Sequence, residues 1–190
     1  MTPTPDTVLG RGTPVLGLCL FLERELSSGA RENVFRRLPA PWARRFPAGS
    51  LLASDHAPVS VVDLLTMLAA EAKGEGVEAF AEGAGAFGAK EGIATFFKAF
   101  FRVFSPANAL EAAPLRWARI YDAGKMTVDS RGRHGGIRVS SFPGGPAVCD
   151  RTTGWFCCVG FLSGASNLQS RHDRSVSRGA PDCAWVFDWE

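Results

Sequence analysis

The chain has 190 residues, 46% of them hydrophobic and 21% charged. That length suits one sizeable domain, and the balance is too apolar for intrinsic disorder. Its 21 basic and 19 acidic residues leave a formal charge of +2, so no global field draws it to nucleic acid or to an anionic membrane.

In chain order, residues 1–13 hold Pro3, Pro5, Gly10 and Gly12 without apolar periodicity. They read as a flexible leader to a single domain over 14–190. The stretch MTPTPDTVLGRG has no basic segment followed by an apolar one, so it does not read as a signal peptide. The apolar run from Pro14 to Leu22 belongs to the core, as a strand or as a buried helical turn. Residues 29–49 set Arg31, Arg36, Arg37, Arg44 and Arg45 among Pro39, Pro41 and Pro47. Proline breaks a basic helix, so this segment reads as a solvated connection and not as a nucleic-acid surface.

Ser60 and Asp63 have the spacing of a capping box, and Val61, Leu64, Leu65 and Leu68 follow on one face. This predicts a helix over 60–73 that stops near Gly74 and Gly76. A glycine-diluted helix over 77–87 comes next. Ile93, Phe97, Phe100, Phe101 and Phe104 then recur at helical spacing over 90–104. Ser105 and Pro106 supply an N-cap and a first-turn proline for a helix over 106–118.

After Asp122-Ala123-Gly124 the apolar period changes to two. Met126 and Val128, then Ile137 and Val139, alternate around Gly132 and the pair Gly135-Gly136, predicting an antiparallel hairpin. Trp155, Cys158, Val159 and Leu162 fit a helix over 152–168. The uncharged stretch from Thr152 to Ser170 is too rich in Ser, Thr, Asn, Gln and Gly for a bilayer span, so no membrane insertion is expected. Trp185, Phe187 and Trp189 alternate in a final strand. Helices, hairpin, helix and strand in that order predict an α+β domain.

Motifs for chemistry fail on context. Residues 83–88 spell Gly-Ala-Gly-Ala-Phe-Gly, but a dinucleotide site needs a strand before the glycines, and residues 75–82 look helical. The pattern reads as a small-residue helix contact. Cys19, Cys149, Cys157, Cys158 and Cys183 are an odd number without a C-x-x-C pair. They match neither a disulfide framework nor a zinc ribbon, and they read as buried structural thiols of a protein in a reducing cytoplasm. Gly160-Phe161-Leu162-Ser163-Gly164 misplaces its serine for a nucleophile elbow. His56, His134 and His172 lie in polar segments and read as surface histidines. No catalytic and no metal-binding residue is therefore assigned. An enzymatic reading would rest on a low-pKa thiolate at Cys183 or Cys157.

Four segments carry a resemblance: VSVVDLLTMLAAEA; PLRWARIYDAGKMTV with Trp117, Tyr121 and Gly124; TTGWFCCVGFLSGA; and RGAPDCAWVFDWE with the Gly-x-x-x-Cys step at Gly179 and Cys183. From about Val59 onward the chain resembles the superfamily of heme/nitric-oxide-binding domains, vinyl-reductase-like small-molecule-binding domains and transport-protein-particle subunits. Within it, the chain is most similar to a paralogous family of myxobacterial proteins. The resemblance implies helices packed on one side of a twisted antiparallel sheet, an apolar cavity in several relatives, and dimers through the helical face. The Tyr-x-Ser-x-Arg motif that grips heme propionates in nitric-oxide sensors is absent, and no histidine falls in the matching helices. Residues 173–176 also lack the cysteine that vinyl-reductase-like members carry there. The cofactor stays unassigned.

The expected function is a non-enzymatic cytoplasmic small-molecule-binding or sensory domain. Leu64, Leu68, Phe97, Phe101 and Trp155 are the candidate wall of an apolar pocket between helices. The alternative is a protein-interaction scaffold whose core is filled by its own side chains, similar to transport-particle subunits. Apolar residues covering much of the helix 90–104 predict a homodimer.

Overall fold

The structure is a computed structural model that describes residues 6–46, 51–94 and 105–190. The helical half opens with strand β1 (Leu9–Arg11) and helices α1 (Gly12–Glu25), α2 (Ser28–Arg36) and α3 (Ala40–Arg45). Strand β2 (His56–Pro58) leads into α4 (Val59–Lys73) and α5 (Val77–Ala94). Two short helices, α6 (Pro106–Glu111) and α7 (Ala113–Ile120), lead to the hairpin β3 (Lys125–Arg131) and β4 (His134–Ser140). Helix α8 (Pro146–Leu162) crosses to β5 (Gln169–Arg174), and a short 3-10 turn precedes β6 (Asp182–Asp188).

The sheet runs β3-β4-β6-β5, every neighbour antiparallel. Cys183, Trp185 and Phe187 are buried on one face of β6, while Ala184 and Val186 on the other face are only half-buried. A sheet covered on one side by helices is an α+β fold, as the element order predicts. The core has two main parts. Leu18, Leu22, Val34, Leu65 and Phe80 fill the interior of the helical half, and Ile137, Val139, Phe156, Trp185 and Phe187 fill the space between α8 and the sheet.

Residues 1–13 are not wholly a leader. Leu9–Arg11 pair with His56–Pro58, Val8 is buried, and Leu9 N donates to Asp122 Oδ1 at 2.9 Å. Long-range partners make this strand, and a three-residue element leaves no period to read. The ambiguous run 14–22 is helical. The connection over 29–49 contains two helices, and Arg37 forms a two-pronged pair with Glu71.

The capping box at Ser60 does not form: Pro58 is the N-cap of α4, without a side-chain bond. Asp63 is instead buried and accepts from Val148 N at 2.9 Å in the first turn of α8. It serves as a cap supplied by another helix, where a carboxylate suits the positive end of the dipole. Burial raises its pKa, and the bonds to the Val148 and Ala147 N–H groups with the charge of Arg151 work against that rise.

Helix α5 runs on through the glycines to Ala94, so residues 90–94 end that helix and do not begin another. The rest of the expected helix, 95–104, lies outside the described residues. Ser105 caps α6 as predicted, accepting from Asn108 N, although the expected helix 106–118 is two helices. Helix α8 begins at Pro146, well before residue 152, and ends at Leu162. Strand β5 follows, an edge strand too polar and exposed to show alternation.

Candidate functional site: an apolar cavity with a buried arginine

Helices α5 and α8 make the tightest crossing in the fold. A Cβ on Gly85 would stand 1.9 Å from the Arg151 carbonyl oxygen, and one on Gly154 would stand 1.9 Å from that of Glu82. Only glycine allows such an approach, so the Gly-Ala-Gly-Ala-Phe-Gly run is a helix contact. Above the same crossing the small side chains leave space. Gly17 on α1 and Ala84, Gly85, Gly88 and Ala89 on α5 form one side of a cavity of about 200 Å³. Aromatic side chains from α7 and α8 form the other.

Two local devices hold those aromatics. Trp117 Nε1 donates to the Ala123 carbonyl at 3.1 Å, and the Trp117 ring lies 4.5 Å from Tyr121 and 4.8 Å from Phe142. Gly124, at φ +84, turns the chain beneath them, where a Cβ would meet Phe142 at 2.9 Å. Trp155 and Phe156 pack edge to face at 5.5 Å, and the Arg116 guanidinium lies 5.8 Å above the Trp155 ring. Burial, helped by the charge of Arg119, lowers the pKa of Arg116.

Arg151, 8% exposed, also lines this cavity. Its Nη2 lies 3.5 Å from the Tyr121 hydroxyl, and its buried Nη1 has no hydrogen-bond partner among the described residues. Uncompensated buried donors are costly, so Arg151 is the most unusual polar residue lining the cavity.

Of the residues singled out from the sequence, Trp155 lines the cavity. Leu68 is buried, and Leu64 half-buried, in the packed interior of the helical half, and neither reaches the cavity wall. Phe97 and Phe101 lie outside the described residues. Sequence reasoning missed Arg151, Tyr121 and Trp117 as wall residues. One signal was available: Arg151 stands four residues before Trp155, on the same face of a helix whose other charged residue is Asp150.

A second cluster lies where α8 meets the sheet. Cys149 and Cys183 are free thiols with sulfurs 2.8 Å apart, and Val176 N donates to Cys183 Sγ at 3.4 Å. His172 is not a surface histidine. It stacks on Trp185 at 4.8 Å, and its Nδ1 lies 3.6 Å from Asp150. The Cys149 thiol donating to it pushes Cys183 down to about 5 against the effect of burial, and His172 strengthens the shift. Cys149 moves up, from that same bond and from burial. Burial opposes charge on His172, but Asp150 and Cys183 prevail and raise it to about 9. Among the described residues, no group of three or more His, Cys, Asp or Glu side chains is arranged to hold a metal ion.

No protein-family model matches the chain, and no curated protein is significantly similar to it. Solved structures are similar over nearly the whole length. An unliganded Fe(II) H-NOX protein from K. algicida superimposes with a TM-score of 0.72 at 7% identity, covering 95% of this chain and 96% of that one. The chain has the H-NOX fold. An H-NOX protein from S. oneidensis in the Fe(II)NO state gives 0.71 at 11% identity, covering 95% and 99%. A structure from work on heme distortion in the H-NOX family gives 0.73 at 10%, covering 95% of each chain.

A histidine-held heme does not fit the cavity described above. The chain's three histidines stand elsewhere: His56 exposed in β2, His134 paired with Asp188 on the hairpin, and His172 stacked on Trp185. The volume argues the same way. A cavity of roughly 150 Å³ accepts one benzene, so about 200 Å³ accommodates a ring with a substituent and not a tetrapyrrole. No helix among the described residues is long and apolar enough to cross a membrane.

Proposed function

We propose that the chain is a non-enzymatic, cytoplasmic ligand-binding or sensory domain that takes a compact apolar molecule between α1, α5, α7 and α8. The observation that carries this reading is the unfilled cavity at the α5–α8 crossing, faced by Trp117, Trp155 and Phe156. Burial of apolar ligand surface there contributes about 25 cal/mol per Å², and concave apolar sites between helices are where small ligands bind. The H-NOX fold supports the reading, since the similar proteins include gas-liganded ones such as an H-NOX domain in its oxygen complex. The narrower placement, in a bacterial, vinyl-reductase-like branch with myxobacterial paralogues, rests on the sequence landmarks alone.

Thermal shift and ligand-observed NMR with toluene and indole test this. Saturable binding of either, lost when the cavity is filled by Gly88→Leu, is the expected result. Failure of both probes to bind would overturn it. The scaffold alternative requires a core filled by its own side chains, and the open volume weighs against it. Assembly as a homodimer is part of the proposal. Light scattering at micromolar concentration should give twice the 20.3 kDa chain mass, and a mass that stays at one chain as concentration rises overturns it.

A further inference from the structure

Four charged or reactive features of the structure are candidates for a further role, and three of them are satisfied internally. Arg138 and Arg174 both form ion pairs with the buried Asp182. Arg37, Arg45 and Lys73 pair with acidic residues at the surface. The Cys149 and Cys183 thiols satisfy each other. Arg151 differs, because it is buried, lines the cavity, and has no acceptor for its Nη1 among the described residues.

The surroundings of Arg151 favour an anion. No aspartate or glutamate stands among the described residues of the wall, whereas a second arginine, Arg116, does. Asp63 lies within electrostatic reach of Arg151, but its Oδ1 is occupied by Val148 N–H in capping α8. The Tyr121 hydroxyl beside Nη2 supplies a further group able to donate to an oxygen. A guanidinium with one nitrogen unpartnered and its neighbour bonded only to a hydroxyl at 3.5 Å suits a carboxylate, which accepts charge-assisted N–H bonds.

We propose that the ligand of this cavity is a compact aromatic carboxylate, with its ring against Trp117, Trp155 and Phe156 and its carboxylate on Arg151 and Tyr121. The inference rests on the ligand-binding reading above and adds the charge of the ligand to it. The size follows from the volume of about 200 Å³, which suits one ring and a short acidic arm. Partnering a buried charged donor distinguishes an acid from its neutral isostere by a factor of about ten or more.

The test is calorimetric titration of the full chain with phenylacetate and with phenylacetamide, which differ in charge and scarcely in shape. Phenylacetate should bind at least about tenfold more tightly. Arg151→Met should bring the acid down to the level of the amide while leaving the amide's affinity within about threefold. If Arg151→Met loses its circular-dichroism signal, Tyr121→Phe serves instead, and it should weaken the acid alone, by about threefold. Equal affinities for acid and amide in the unsubstituted protein would overturn the carboxylate inference and leave the apolar pocket standing. If neither compound binds, and toluene and indole fail too, the pocket reading falls together with it.

Discussion

The interior of the helical half and the α5–α8 crossing are built from the same kinds of helix with opposite results. Around Leu65, which is wholly buried, branched side chains from α1, α2 and α4 interdigitate and the space is filled. At the crossing, Gly85 and Gly154 bring two backbones into contact, and the glycines and alanines beside them are too small to fill the room under Trp117 and Trp155. Close backbone approach and an unfilled volume thus have one cause. Small residues let helices touch at one point and leave a gap next to it, and a filled core offers no such gap.

The largest effect should come from emptying the filled region. Leu65→Ala should cost about 2–5 kcal/mol in chemical denaturation, from lost transfer energy and a new cavity. The crossing should respond to the reverse change. Gly85→Ala puts a methyl against the Arg151 carbonyl and should cost about 1–3 kcal/mol by forcing α5 from α8. Gly88 separates the two effects, since its Cβ would meet nothing within 4 Å among the described residues although Gly88 lines the cavity. Gly88→Leu should gain up to about 1 kcal/mol from helix propensity, while toluene no longer shifts the melting temperature.

The last effect concerns pH and the thiol cluster beside the sheet. The folded pKa of Cys183, about 5, lies below the ordinary thiol value of 9.0, so its contribution is complete above 9.0 and is lost as pH falls through 5. His172, raised to about 9 from 6.5, contributes fully below 6.5 and loses that as pH rises through 9. The two trends offset each other between 6.5 and 9, so stability should rise from pH 5 to 6.5 and then level off. Above 9 it should fall, because Cys149 is pushed upward and stays protonated when folded. Denaturation midpoints across this range check the profile, and Cys183→Ser should flatten the acid limb. An unchanged acid limb in that variant would exclude Cys183 as its source.

Legibility followed the reach of the interactions. Ser105 and Pro106 announced α6 because a cap and a first-turn proline act within one turn of chain. The hairpin over 125–140 and the aromatic strand β6 were readable because one face of each is buried and the other is not. Strand β1 was hidden because Leu9–Arg11 are strand only by virtue of β2 and Asp122. Strand β5 was hidden because an exposed edge leaves no alternation to read. Asp63 was misread because a local partner three residues away was assumed, and its true partner is the start of α8.

The sequence by itself determined the α+β order of elements, the glycine-rich contact on α5 and the aromatic supply on α7 and α8, since each rests on periodicity or residue size along a short segment. Tertiary structure alone decided where those aromatics face the glycines, which arginine is buried among them and which thiols meet. Each of these depends on bringing α1, α5, α7, α8 and β6 together. A cavity has no sequence signature of its own, because it is the space that several distant segments jointly leave unfilled.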